Sequence, residues 1–460
     1  MSELIQKFLE KNRENKLRID CIGDAMVDQY YRVSVNRISP EFPMPIMKTS
    51  PVRPESRPGG VANVAHQFRN FNVDLQLICF TDKNLDPVLK EHNLQHKIGF
   101  YRPSLDSSLG TVPVKQRFLD SDIQVTRLDV EQDNYGLSED SLRSLREKLY
   151  QKTIHERLPD VTILSDYDKG FFGSSINWAS DITSKGVTTI VDPKNVNLDQ
   201  WEGCRIFKPN AKEAYDLSGL TDPKDQSRFF QERLGCESVF ITQSGGGVKG
   251  VWGSEYFEYV PSQTVSVKSS VGAGDCFVAF LAMAIGHGFE GRDAAEVAYE
   301  AGAIYVQRNL NRPITPAELT RTKIVHPQDL ANRDYTLAFT NGCFDLIHSG
   351  HLQTLRFAAQ KAQKLVVALN SDESVKRLKG PERPKKTLSE RMQVMAALEM
   401  VDFVTYFEED TPLECIKACQ PNALIKGGEY GDGEIVGEDI VPETFRVPMV
   451  DGKSTTALLK

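Results

Sequence analysis

The sequence has no apolar run near the roughly 18 residues that a membrane helix needs, which argues against a spanning segment. It has no excess of positive charge. Its 55 Lys and Arg stand against 63 Asp and Glu, a formal net charge of −8, which excludes a general nucleic-acid binder with a basic surface. It lacks paired cysteine spacing: eight cysteines lie at 21, 79, 204, 236, 276, 343, 415 and 419, none of them in a CxxC pair. Cys415 and Cys419 are one helical turn apart, but no second ligand pair accompanies them, so buried free thiols are expected and no fixed protein metal site. No internal repeat is evident. Residues Met1 to Lys16 alternate Leu, Ile and Phe with Lys, Glu and Arg. They lack the apolar centre of a signal peptide and read as a surface helix, so a cytoplasmic location is expected.

What remains is an ordinary globular composition, 40% hydrophobic and 26% charged, in a chain of 460 residues, long enough for two or three domains. Short β-branched runs recur, among them Arg18–Ile22, Val161–Ser165, Thr188–Val191, Val239–Thr242, Leu337–Thr340, Leu365–Leu369 and Ala423–Ile425. Helix-like stretches such as Glu139–Leu158 and Gly350–Gln363 lie between many of them. This alternation predicts α/β architecture with mostly parallel sheets, whose ligands gather at the carboxyl ends of strands. Tyr30–Pro58 breaks the pattern, with many prolines and β-formers and no helical period; a small antiparallel flap over a pocket and a plain surface excursion both fit. Pro313, Pro316 and Pro327 precede a new strand at Tyr335, which predicts a first domain at 1–315, a linker at 316–334 and a second domain at 335–460.

The first chemical constellation is Val271-Gly272-Ala273-Gly274-Asp275, followed by an apolar helix. A turn of Gly272, Ala273 and Gly274 lets backbone N–H groups approach an anion, and Asp275 at its mouth could take a proton from an attacking hydroxyl. A capped strand–helix turn is the plainer reading. Three further pieces accompany it. Asp24 and Asp28 follow a strand, Gly59 and Gly60 precede Asn63 at a helix start, and Lys208-Pro209-Asn210 is followed by Glu213. In this order they resemble the ribokinase-like (PfkB) sugar-kinase family over roughly residues 17–310. The resemblance implies that Asp275 is the catalytic base and that Gly272, Ala273 and Gly274 form the anion hole. It implies that Asp24, Asp28, Gly59, Gly60 and Asn63 contact the sugar, and that Asn210 and Glu213 organise Mg²⁺ and phosphate. Lys115, Arg117, Lys169 and Lys194 are candidate phosphate contacts; each could equally be a solvated charge. Ser269 stands six positions before the base, where many relatives carry an acidic residue that helps bind a monovalent cation, and it argues against such activation.

The second constellation is Thr340-Asn341-Gly342-Cys343-Phe344-Asp345-Leu346-Ile347-His348-Ser349-Gly350-His351. A strand enters a Gly turn and His-x-Gly-His opens a helix, so two imidazoles can face one phosphate. Zinc is the competing reading, without further clustered ligands. The motif resembles the cytidylyltransferase-like nucleotidyltransferases, which join a nucleoside triphosphate to a phosphorylated acceptor. The resemblance extends to Thr340, Asn341, Gly342, Phe344, Asn370, Asp372, Lys379, Arg391, Lys426, Ser454 and Thr455 as nucleotide and phosphate contacts, with His348 and His351 catalytic. The expected fold is therefore a ribokinase-like domain with a small β flap, followed by a Rossmann-like nucleotidyltransferase domain.

The two halves together resemble the bifunctional heptose 7-phosphate kinase and heptose 1-phosphate adenylyltransferase family. That implies ATP, Mg²⁺ and heptose phosphates as ligands, ADP-heptose for lipopolysaccharide as product, and a homodimer formed through the flap. Two alternatives stay open. One is a kinase–transferase acting on another sugar or polyol phosphate, with CTP as a candidate nucleotide. The other is an active transferase carrying a non-catalytic sugar-binding domain.

Overall fold

The structure, a computed structural model, describes residues 2–49, 53–94, 111–121, 123–156, 158–173, 176–194, 197–262, 265–308, 312–331, 333, 335–427 and 435–447. Its contacts divide the chain into two compact units, 7–314 and 315–460, the latter with residues 1–6.

The first unit is built on an eight-stranded sheet among the described residues. Its order is Glu255–Tyr259, Val248–Trp252, Ser238–Thr242, Ile206–Phe207, Thr188–Asp192, Val161–Ser165, Leu17–Gly23, Val73–Ile78. The last six of these run parallel, and the first two form an antiparallel edge. The parallel strands are covered on both faces, which is why Val161–Ser165 reads as an unbroken buried run. Alternate residues divide the two faces. Ile22, Leu164, Val191, Phe207 and Val239 join a core with Trp178, Trp201 and Phe230 on one side. Against the sheet packs Ala273–Gly286, whose residues 275–284 are all buried, as a helix apolar all round must be. The N-terminal helix Glu3–Glu14 is amphipathic: Phe8 is fully buried against the rings of Phe71, Phe280 and Phe289, with centroids 6.2–6.4 Å away.

The flap is present but is not purely antiparallel. Ala25–Ile38 pairs antiparallel with Pro45–Thr49 and with Glu55–Gly60, yet parallel with Val114–Asp120, which pairs antiparallel with Ile123–Val130. The strand pattern of the 30–58 segment carries no information about its distant partner at 114–120, so the mixed pairing was invisible there. The inner half of Ala25–Ile38 is buried and its outer half exposed.

The second unit holds a five-stranded, all-parallel sheet among the described residues. Its order is Phe403–Phe407, Lys364–Asn370, Leu337–Gly342, Ala423–Gly427, Glu443–Val447. The stretch expected as a linker, 316–334, is not a free connector. Ala317, Val325 and Leu330 are buried with Leu337, Phe339 and Val366, and Val325 N–H donates to the Val404 carbonyl at 2.9 Å. Its prolines start helical turns, Pro316 in Pro316–Leu319 and Pro327 in Pro327–Leu330, each behind a capping side chain, rather than marking an unstructured link.

Truncating Phe8 to Ala should destabilise the first unit by about 3–5 kcal/mol, because the four-ring cluster cannot collapse onto the void. Urea unfolding of the full chain, followed by fluorescence, checks this.

Candidate active sites

At the carboxyl ends of neighbouring parallel strands lie Asp24, Asp166, Asp192, Lys208 and Thr242, where an open α/β sheet gathers ligands. The cavity there measures about 680 Å³ and is lined by Tyr167, Lys194, Asn210, Glu213, Gly272, Ala273, Gly274 and Asp275, among others.

Asp275 sits in the first turn of Ala273–Gly286 and is 5% exposed. Its Oδ2 accepts from Asn63 Nδ2 at 2.6 Å and its Oδ1 from the Tyr167 hydroxyl. Burial raises its pKa above the ordinary carboxylate value, and the two hydrogen bonds oppose that rise. Gly272 has φ +78, and a Cβ there would lie 2.6 Å from both Asn63 Nδ2 and Tyr305 Oη, so only glycine fits the turn. Above Gly274 the nearest neighbour is Lys208 Nζ, 3.9 Å from a built Cβ. That buried ammonium pairs with Asp192 Oδ1 at 2.8 Å. Burial pushes Asp192 up to about 6 against the pull of Lys208. Asn210 and Glu213 form a reciprocal capping box at 2.9 Å in each direction, and Glu213 also holds Lys194 at 2.8 Å.

Several residues expected at the sugar are placed differently. Asp24 is fully buried, and its carboxylate accepts from the Tyr135 hydroxyl and from the N–H groups of Tyr167, Lys169 and Phe171 at 2.6–3.2 Å. Four donors saturate it, so it organises the 167–171 loop rather than a ligand. Asn63 spends its amide on Asp275 and Gln67. Arg117 is locked on Asp28 Oδ1 through Nε at 3.0 Å and a second nitrogen at 2.9 Å, and Lys169 is paired with Glu131 at 2.9 Å. Gly59 and Gly60 serve close approach: a Cβ on Gly59 would meet Asp28 Oδ2 at 2.8 Å, and one on Gly60 the Asp24 carbonyl at 2.3 Å. Lys115 differs from its neighbours. It lies 5.7 Å from the Tyr167 ring centroid and has no hydrogen-bond or ion-pair partner among the described residues. Burial lowers its pKa. Tyr167, Asp192 and Lys208 were not singled out from the sequence; their positions just after strands were the available signal.

In the second unit, Thr340 is buried in its strand, and Asn341 Oδ1 accepts from Lys426 Nζ at 2.9 Å across the switch point of the sheet. Burial pushes Lys426 down to about 8. Phe344 turns at φ +45 and sets its ring 5.0 Å from that of His351, while a Cβ on Gly342 would come 3.2 Å from the Phe344 ring. His348 caps Ser349–Ala359; its N–H donates to His351 Nδ1 at 3.4 Å, and the two rings stack at 3.8 Å. Burial lowers both, His351 to about 4, so both imidazoles are neutral near pH 7 and each still carries one ring N–H donor.

Arg391, expected on phosphate, is 2% exposed and donates to the carbonyls of Lys386, Cys343 and Asn370 and to Asp372 Oδ1 at 2.6–3.1 Å. Asn370 likewise turns inward to Ser374 Oγ at 3.0 Å. Asp345, not singled out, accepts from the N–H groups of Lys385 and Lys386 and pairs with Arg383. Lys379 is exposed, acts electrostatically on Cys343 and His351, and has no direct partner among the described residues. Ser454 and Thr455 lie outside the described residues.

A family model of pfkB family carbohydrate kinases matches residues 16–317, and one of cytidylyltransferase-like proteins matches 339–437. The two units are thus a carbohydrate kinase and a nucleotidyltransferase in one polypeptide. The chain is 32% identical over 468 residues to bifunctional protein HldE of Nitratiruptor sp., covering 97% of this chain and 99% of the relative. It is 33% identical over 479 residues to bifunctional protein HldE of Actinobacillus pleuropneumoniae serotype 5b, covering 97% of each. The chain belongs to that family. Phosphofructokinase-2 from Escherichia coli, solved in complex with potassium, shares the kinase fold at a TM-score of 0.53 and 17% identity over 66% of this chain and 97% of that one. No helix among the described residues is long and apolar enough to cross a membrane.

Two outcomes follow for the second unit. Arg391→Leu strips donors from buried carbonyls and leaves Asp372 unpaired, a loss of about 3–5 kcal/mol measurable by urea unfolding. His351 titrates at about 4 when folded, against an ordinary 6.5. The unfolded chain therefore binds more protons between those values, so this stabilisation is complete above 6.5 and is lost as pH falls toward 4. His351→Gln should flatten that acid-side loss in urea midpoints taken across the window.

Proposed function

We propose that the kinase unit phosphorylates D-glycero-D-manno-heptose 7-phosphate at C1 with ATP. The transferase unit then moves AMP from ATP onto heptose 1-phosphate, giving ADP-heptose for lipopolysaccharide core synthesis. The observation that carries this reading is the match over 97% of the chain to relatives named as bifunctional. Lys115 supports a phosphorylated sugar: it is a partly buried cation beside the Tyr167 ring, near Asp28 and Asp129 but with no direct ion pair among the described residues.

In the kinase step Asp275 takes the proton of the attacking hydroxyl. The N–H groups of the 272–274 turn and the Lys208 ammonium face the charge that develops on the transferred phosphoryl group. Asn210, Glu213 and Lys194 line the nucleotide side of the cavity. Mg²⁺ bound with ATP would screen its phosphates. Such an ion usually keeps several of its own waters, and Glu213, which lines the cavity, would accept from them. In the transferase step the acceptor is already an anion and needs no base. Its oxygen attacks the α-phosphorus and pyrophosphate leaves. His348, His351, Lys379 and Lys426 supply donors and positive charge, and Asn341 orients Lys426.

We further infer a homodimer formed through the flap, working in the cytoplasm on small phosphorylated ligands and not on nucleic acid or membrane. The flap exposes Ile38, Phe42, Met44, Ile123, Leu128 and Val130, apolar side chains that an isolated subunit would leave in water.

Mass spectrometry of the products tests the assignment. Heptose 7-phosphate with ATP and Mg²⁺ should give the 1,7-bisphosphate, and heptose 1-phosphate with ATP should give ADP-heptose. Absence of both products removes the heptose assignment. Asp275→Asn should lower the kinase kcat by about 10²–10⁴ and leave the transferase rate unchanged.

A further inference from the structure

One contact in the kinase site has no part in the transfer step. The inference below rests on Asp275 being the base. Asp275 lines the pocket, and one acceptor site of its Oδ1 is taken by the Tyr167 hydroxyl, which lines the same pocket. Its Oδ2 is taken by Asn63. Both oxygens of the base therefore carry a protein donor before any substrate arrives.

Tyr167 is held in that place from two sides. Asp24 Oδ2 accepts from the N–H groups of Tyr167 at 2.9 Å and Lys169 at 3.2 Å, and Oδ1 from that of Phe171 at 3.0 Å. On the same loop, the buried Arg146 guanidinium donates to the carbonyls of Gly170 at 2.6 Å and Phe171 at 3.0 Å. Two buried ionisable side chains thus fix a short loop, and from that loop the phenol reaches the base. The ring also lines the nucleotide cavity and lies 5.7 Å from the Lys115 ammonium. Burial and the neighbouring carboxylates keep the phenol protonated, so it is always a donor toward Asp275.

We propose that Tyr167 gates the base: its hydroxyl takes the acceptor site of Asp275 Oδ1 that faces the pocket, and the sugar hydroxyl displaces it from that site before transfer begins. In the productive step the acceptor O–H bond breaks and its proton passes to Asp275 Oδ1. The acceptor oxygen bonds to the γ-phosphorus, and the bond from that phosphorus to the ADP oxygen breaks. Water in the acceptor's place needs the same carboxylate oxygen. A single water has few other contacts with which to displace the phenol, whereas a phosphorylated polyol binds the pocket along its length and can spend that binding on the displacement. ATP is thereby protected from hydrolysis while the sugar is absent. Tyr167 is a positioning residue for the reaction, since it acts through Asp275.

The test is acceptor-free ATP hydrolysis by the full chain with Mg²⁺, comparing wild type, Tyr167→Phe, Asp275→Asn and the double variant. Tyr167→Phe should hydrolyse ATP at least about tenfold faster, part of the ~10²–10⁴ that a positioned base contributes. The double variant should lose that gain. Removing a donor from a carboxylate raises its pKa, so the acid limb of the Tyr167→Phe kinase profile should also move to higher pH. Calorimetric ATP binding checks that the variants are folded, and Tyr167→Met repeats the measurement with a different packing and no hydroxyl. Hydrolysis and acid limb both unchanged in folded Tyr167→Phe and Tyr167→Met overturn the gate. Kinase activity that survives in Asp275→Asn alone overturns the base assignment instead, so the two failures are distinguishable.

Discussion

The kinase site depends on one buried carboxylate. Asp24 leaves the end of the strand Leu17–Gly23 and collects three backbone N–H groups and the Tyr135 hydroxyl. A buried carboxylate is stable only if its lone pairs are filled, and the 167–171 loop and the Tyr135 hydroxyl together fill them. The loop in turn sets Tyr167 on Asp275, and Asp275 is met from the far side by Asn63, one turn into the helix Val61–Gln67. Four segments distant in sequence thus converge through side-chain oxygens on a single point.

The second unit solves the corresponding problem with the opposite charge. Arg391 is a buried cation that gathers carbonyls of Cys343, Asn370 and Lys386 and the Asp372 carboxylate. It ties the turn after the first strand to the turn after the second, so that the His348–His351 pair opens its helix at a fixed distance from Asn370. Asp345 does the same for the Arg383–Lys386 segment. Loops that carry ligand groups need rigid footing, and here a saturated charge supplies it in each unit.

Architecture was legible because strand runs such as Val161–Ser165 and turns such as 271–275 carry local signatures of period and glycine. The identity of the two constellations was legible for the same reason. The division of labour within them was not. Asp24 and Arg391 each stand beside a strand end or a helix start, as a ligand contact would, and only the three-dimensional count shows that the protein itself fills four acceptor sites of Asp24 and four of the five N–H donors of Arg391. Lys115, Arg117 and Lys169 looked equivalent; the difference lies in Asp28 and Glu131, far away in sequence, which bond Arg117 and Lys169 directly but not Lys115. The prolines at 316 and 327, read as breaks in the chain, stand at helix starts, which proline marks as readily.

The flap strands Ala25–Ile38 and Val114–Asp120 are paired in parallel over residues 27–32 and 114–119, and they carry Asp28, Lys115 and Arg117 on their buried inner ends. Beyond that pairing Ala25–Ile38 continues outward into solvent with Pro45–Thr49 beside it. One continuous strand thus joins the buried Asp28–Arg117 pair to an exposed apolar surface.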